Sequence, residues 1–238
     1  MNKTTSTKTP RFRQTFNRFI RQFYRSSFFG GTFHTVVYEI KKELKDCESV
    51  LDLGCGPSSP LQFCPDIKRS VGVEGYEPYL KRSQDAKIHT EYLNKQLQDL
   101  DFAPGSFDVV MMIEVIEHLP EADGLALIQK AEKWAKKKVI ISSPNGFIAQ
   151  KEVDSNPLQK HLSGWDYVTM KKLGYESRGL AGLKSLRQEV DNETMGDDLL
   201  TSIRFSPRPF WFVVATASQL LTYRIPSLAF GLFHVKKL

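Results

Sequence analysis

The heptapeptide EVIEHLP, residues 114–120, carries two carboxylates and an imidazole: Glu114, Glu117 and His118. Were the segment helical, these i, i+3 and i+4 positions would share a face, and His161 in NPLQKHLSGW offers a second imidazole. Two Glu and two His have the donor chemistry of a divalent-metal site. The same groups also serve as general bases toward a hydroxyl, or they pack and cap without doing chemistry. Residue types alone leave these three roles open.

A second stretch, VLDLGCGPSSPL at 50–61, runs a buried-strand pattern into a glycine turn. Where such a turn enters a helix, unpaired backbone N–H groups face a ligand, and Gly54 and Gly56 let it approach where a Cβ would collide. Asp52, inside the strand end, can orient the turn or a cationic part of the ligand. Glu74 closes the next strand pattern, SVGVE, where an acid suits ribose hydroxyls. A dinucleotide would call for a third glycine and a phosphate nest. This chain has Pro57-Ser58-Ser59-Pro60, and prolines lack the N–H such a nest needs. S-adenosylmethionine brings only a small carboxylate and an ammonium, so the turn tilts toward it.

Both stretches need a scaffold. Apolar runs at 49–54, 70–74, 107–115 and 138–144, with a weaker one at 87–93, alternate with helical patterns. The clearest of these, 121–137, sets Leu127, Ile128, Ala131 and Ala135 on one face. Such alternation predicts a parallel sheet covered on both sides. The polar connection 147–165 is long enough to wall an acceptor pocket, with Phe147 and Trp165 as stacking or anchoring groups. Near the C-terminus, Phe210, Val213, Val214, Ala217, Leu220 and Leu221 form a helical stripe opposite Thr216, Gln219 and Thr222. That predicts a core helix followed by a last strand over about 227–236. The alternative is an interfacial membrane contact, since Arg224 and Pro226 keep the apolar stretch below the roughly 20 residues of a span.

At 238 residues, 41% hydrophobic and 25% charged, the chain can fill one core. Its net charge of +6 is localised, because residues 1–38 carry seven basic side chains and no acid, which leaves −1 for the remainder. Phe12, Phe16, Phe19, Ile20 and Phe23 form a stripe in this arm, opposite Arg11, Arg18, Arg21 and Arg25; FFGG at 28–31 breaks the pattern, and a second helix is expected over 32–45. Such a helix can act as a lid, lie on an anionic membrane surface, or track nucleic-acid phosphates. Segregation of aromatics from arginines favours the first two, and nucleic acid is the disfavoured partner. Three cysteines give an odd count without framework spacing, which points to reduced thiols and a cytoplasmic location, with contact at the inner membrane face as an option. No apolar run or small-residue cleavage site of a signal peptide follows the basic start.

Four segments in order, VLDLGCG, VGVE, DLDFAPGSFDVVMMIEVIEHLP and VIISSPNG, resemble the class I S-adenosylmethionine-dependent methyltransferases. The likeness is strongest to small bacterial members similar to ubiquinone-pathway O-methyltransferases. It implies an α/β, Rossmann-like, seven-stranded and mostly parallel sheet flanked by helices, with the last strand antiparallel. It also implies S-adenosylmethionine as cofactor and methyl transfer to a small-molecule, lipid-linked or glycan hydroxyl. The expected organisation is a basic arm over 1–31 and a methyltransferase domain over 32–238. Within the domain, about 48–146 forms the cofactor half and 147–238 the acceptor-side loop and C-terminal elements.

By the same resemblance Gly54, Cys55 and Gly56 hold the methionine moiety and Glu74 the ribose, with Asp52 orienting the turn. Gln96 stands where the family usually has an acid for the adenine, with Leu97 as an apolar wall, and Ile113 and Glu114 lie near the transferred methyl. His118, His161 and Glu117 are the candidate catalytic groups, and no metal is assigned. The ExxEH spacing with a later His is also similar to small-RNA terminal 2′-O-methyltransferases, where those residues hold a metal. RNA methylation and a non-catalytic cofactor-binding module are therefore the alternative functions.

Overall fold

Alternate residues of β1 (Ser49–Leu53) supply opposite faces of the sheet, as the two-residue period of a strand requires. Leu51 and Leu53 join a core with Val110, Met112, Val139 and Ile141, while Val50 joins Val109, Met111 and Ile140 on the other side. The computed structural model describes residues 26–188 and 200–238. The arm's Phe and Arg stripes lie outside the described residues.

The remaining strands are β2 (Arg69–Val73), β3 (Glu91–Leu93), β4 (Phe107–Ile113), β5 (Ala135–Pro144), β6 (Glu176–Leu183) and β7 (Ala229–Lys237). They form one sheet in the order β3-β2-β1-β4-β5-β7-β6. β1 to β5 pair in parallel, and β7 runs antiparallel to both β5 and β6. The sequence-derived fold is this fold. β3 is shorter than the 87–93 pattern: Lys87 turns with a positive φ, and His89 and Thr90 are engaged by side-chain bonds to Tyr92 and Ser70.

Six α-helices surround the sheet among the described residues: α1 (Ser27–Phe33), α2 (Val36–Glu43), α3 (Glu77–Asp85), α4 (Glu121–Trp134), α5 (Tyr167–Lys172) and α6 (Arg208–Thr222). FFGG does not break a helix; it lies inside α1, whose start is capped by the Ser26 hydroxyl. The helix expected from 32 begins after His34, which closes α1 with a φ of 51°. α4 covers one core with Leu127, Ile128, Ala131 and Trp134. α2 covers the other with Ile40, beside Leu44 and Leu61.

α6 overturns one expectation. Its buried residues are Ala215, Gln219 and Thr222, whereas Phe210, Val213, Leu220 and Leu221 face outward. The physical reason lies in β6. A Cβ on Gly179 would come within 2.1 Å of the Thr222 carbonyl oxygen, and one on Gly182 within 2.0 Å of that of Ala215. These glycines admit the helix backbone, and Gln219 then ties it down by donating to the Gly179 carbonyl at 2.9 Å and accepting from Gly182 N–H at 2.7 Å. No described helix is long and apolar enough to cross a membrane.

Candidate functional site

Directly after β1 the chain turns, with Gly54 and Gly56 at φ of 65° and 57°. A Cβ on Gly54 would stand 2.7 Å from Cγ2 of Val115, so conformation and space both demand glycine there. Beneath the turn the buried Asp52 carboxylate accepts the Ser59 hydroxyl at 2.6 Å and meets His89 Nε2 at 2.9 Å. Ser59 Oγ accepts the Leu61 N–H at 3.1 Å and caps the 3₁₀ turn Pro60–Phe63. Asp52 therefore orients the turn, and Pro-Ser-Ser-Pro is the start of a capped helical turn rather than a phosphate nest.

Cys55 contributes backbone: its N–H donates to the Val73 carbonyl at 2.9 Å, while its thiol is turned inward near Gly72. Burial pushes that thiol up, so it stays protonated. At the end of β2, Glu74 accepts N–H groups from Gly56 at 3.1 Å and Tyr76 at 2.8 Å. Burial nevertheless raises its pKa, with these backbone donors opposing the shift.

Asp52, the turn from Gly54 to Pro60, Glu74, Tyr79, Ile113, Glu114 and Gln159 line one cavity of about 340 Å³. That volume is at the small end for a cofactor cleft. Gln96 does not line it; its amide lies against Gly75, where a Cβ would meet Nε2 at 2.9 Å. Leu97 is not brought to this cavity. It lines a separate hollow of about 110 Å³ with Leu119, Ala126 and Lys130.

The EVIEH segment leaves β4 through Glu114, whose φ of 55° is a left-handed, strained backbone value. Its N–H donates to the Ser142 carbonyl at 2.9 Å, and its carboxylate accepts the Ser142 hydroxyl. Ile116–His118 then forms a 3₁₀ turn, not the α-helix that i, i+4 spacing would need. His161 arrives from the 147–165 connection, which is bolted to this turn. Leu162 and Ser163 N–H donate to the Glu117 carbonyl at 2.8 and 3.1 Å, and the buried Trp165 Nε1 donates to that of Ile116 at 3.1 Å. Trp165 is thus a loop anchor, and Phe147 is left exposed.

These bonds place the two imidazole rings 4.8 Å apart. Nδ1 of His118 donates to the Lys160 carbonyl at 3.3 Å and Nδ1 of His161 to that of Ile148 at 2.6 Å, which leaves each Nε2 with a free lone pair. Burial, and then the neighbouring His161, pull His118 down to about 4; burial also lowers His161. Both rings are neutral at pH 7. One ligand atom from each of Glu117, His118 and His161 lies within 4.8 Å of the others. Neither buried carboxylate oxygen of Glu117 has a hydrogen-bond partner, and burial plus the charge of Glu114 hold the group well above the ordinary carboxylate range. A cation would satisfy the orphaned oxygens and both lone pairs, so these residues fit one.

Sequence reasoning did not single out Ser59, Tyr79, His89, Ser142 or Gln159. Tyr79 Oη donates to the Asp154 carboxylate at 3.0 Å and clips the 147–165 connection to α3. Only Ser59 has a local signal, the Ser-Pro start of a capped turn; the partners of the others are brought in from distant parts of the chain.

Residues 51–142 match the family model described as a methyltransferase domain. No curated protein matches the chain. Among solved structures, a SAM-dependent methyltransferase from Archaeoglobus fulgidus is 18% identical with a TM-score of 0.51, the match covering 89% of this chain and 98% of that one. The methyltransferase domain of bacterial CtHen1-C is 19% identical with a TM-score of 0.51, covering 85% and 96%. A chain in the complex between the Haloferax volcanii Trm112 methyltransferase activator and a putative methyltransferase is 15% identical with the same TM-score, covering 92% and 96%. At these identities the likeness is one of fold, and it agrees with the strand order and with the glycine turn inside the matched segment. Residues 51–142 thus carry a methyltransferase domain of the S-adenosylmethionine-dependent kind, set in the fold of such enzymes.

Proposed function

We propose that this enzyme methylates a hydroxyl oxygen of an acceptor held beside Glu114, Glu117, His118 and His161, and that Glu117, His118 and His161 form a divalent-cation site. One observation carries the reading: the two buried oxygens of Glu117 have no partner, and they stand among neutral imidazoles with free lone pairs. When bound, the cofactor would supply an electrophilic methyl on a sulfonium; the acceptor oxygen would attack that carbon in line, the thioether would leave, and the hydroxyl proton would pass to a base. Gly54, Cys55 and Gly56 offer backbone to its amino-acid end, Glu74 accepts from ribose hydroxyls, and Gln96 lies toward the adenine. Ile113 and Glu114 border the methyl. A divalent cation lowers the pKa of a hydroxyl bound to it and fixes the oxygen. Glu117 would supply the anionic donor, His118 and His161 neutral ones.

The acceptor in this reading is a small, lipid-linked or glycan hydroxyl compound. The second reading, a 2′-hydroxyl of RNA, is favoured by the Glu/His set, whose spacing resembles the small-RNA enzymes. It is weakened by the −1 balance of residues 39–238. Labelled methyl donor and fractionated extract test all of this together with a cobalt titration of the purified protein. The reading requires label in an alkali-stable ether, transfer that stops with chelator and resumes with added metal, and visible Co(II) bands that disappear in His161→Ala. Transfer indifferent to chelator, with no cobalt spectrum, returns His118 or His161 to the role of a metal-free general base.

A further inference from the structure

The outward face of α6 exposes large apolar side chains. Phe210, Val213, Leu220 and Leu221 are 58, 64, 51 and 49% exposed, and Ile225 and Leu228 continue the patch. Single exposed apolar residues are ordinary; a contiguous stripe on one helix is not. The stripe also has charged ends: exposed Arg204 and Arg208 precede it and exposed Arg224 follows it, with no Asp or Glu anywhere in residues 200–238.

A second element extends the patch. α1 packs against α6, with the His34 ring stacked on Tyr223 at 3.6 Å between centroids. Phe28 on α1 is 82% exposed. The chain that enters α1 brings seven basic residues and no acid in residues 1–25. Two helices distant in sequence, α1 and α6, thus meet on one side of the fold.

We propose that α6, with Phe28 of α1, is a docking surface for an anionic lipid bilayer. Its apolar stripe inserts at the interface and Arg204, Arg208 and Arg224 engage headgroup phosphates, as interfacial helices do. Charge decides among occupants. A second copy would bring the same arginines face to face with no acid to receive them. Nucleic acid would be met by an aliphatic stripe instead of aromatics interleaved with cations. The inference is independent of the cofactor and of the acceptor chemistry.

The test is co-sedimentation of the full-length protein with phosphatidylcholine vesicles and with mixed phosphatidylcholine–phosphatidylglycerol vesicles. Binding is expected only to the anionic vesicles, and it should weaken with salt. Val213→Glu combined with Leu220→Glu should lower partitioning more than about tenfold, and Arg208→Gln or Arg224→Gln about fivefold each. Melting temperature and cofactor affinity should not change in any of them, because these side chains reach solvent. Equal binding to both vesicle types, or substituted proteins that bind like the original, overturns the proposal. So does a concentration-dependent dimer, seen in analytical ultracentrifugation without lipid and abolished by the same substitutions.

Discussion

Glu74 at the end of β2 accepts the backbone N–H of Gly56, from the turn after β1, at 3.1 Å. One carboxylate thereby fixes the distance between the two strand ends that bracket the cofactor cleft. Glu74→Ala should weaken S-adenosylmethionine binding by about 2–3 kcal/mol, the usual cost of losing hydrogen bonds to a charged group. Glu74→Gln, which keeps the shape and one acceptor, should fall between the two. Isothermal titration measures both, and affinity unchanged in Glu74→Ala would remove Glu74 from the cofactor site.

Gly54→Ala meets two obstacles at once, the left-handed backbone and Val115 Cγ2 at 2.7 Å. Backbone handedness alone costs about 1–2 kcal/mol. The double change Gly54→Ala with Val115→Ala should recover only the steric part, seen as partial recovery of the melting temperature.

Cation binding should depend on pH through Glu117. His118, pulled down to about 4, is already neutral at pH 7, so it has no proton to lose. Glu117 is held protonated above the usual range and must release its proton to bind. Apparent cobalt affinity should therefore rise with pH until Glu117 is ionised, by up to about tenfold per unit, and proton release should appear in buffers of different ionisation enthalpy.

Acid stability has the opposite origin. His234 is buried with Nε2 unpaired and Nδ1 bonded to Ser177, and burial pulls it down to about 3; His118 lies at about 4. Between those values and the ordinary 6.5 the unfolded chain binds more protons than the folded one. The histidine contribution is thus fully present above about 6.5 and is lost as pH falls through that window. His234→Leu should flatten the acid limb of a stability–pH curve measured by urea unfolding.

Tyr79→Phe removes the hydrogen bond to Asp154 and nothing else of size. It should destabilise the protein by about 1 kcal/mol and raise KM for the acceptor more than KM for the cofactor. Steady-state kinetics with each substrate varied separate the two effects.

The cofactor half was legible because its signals are local. A buried strand, two glycines at positive φ and an acid at the next strand end all lie within short windows, and a parallel sheet follows from the β–α alternation. The Glu/His cluster was legible as a set of types but not as a geometry. Ile116–His118 is a 3₁₀ turn, and His161 is positioned by main-chain bonds to Glu117 that no spacing rule encodes. The orientation of α6 was misread, because a stripe tells that one face differs, not which face turns inward. The deciding signal sat on another element, in Gly179 and Gly182 of β6, whose missing side chains admit the polar face.

The connection from Phe147 to Trp165 is fastened at its two ends and along one edge. Gly146 N–H reaches the Trp165 carbonyl, and Leu162 and Ser163 reach that of Glu117. Between those fixings Tyr79 holds Asp154, and the Ile148 and Lys160 carbonyls hold His161 and His118. Exchanging this stretch for a homologue's would therefore carry the orientation of both imidazoles with it.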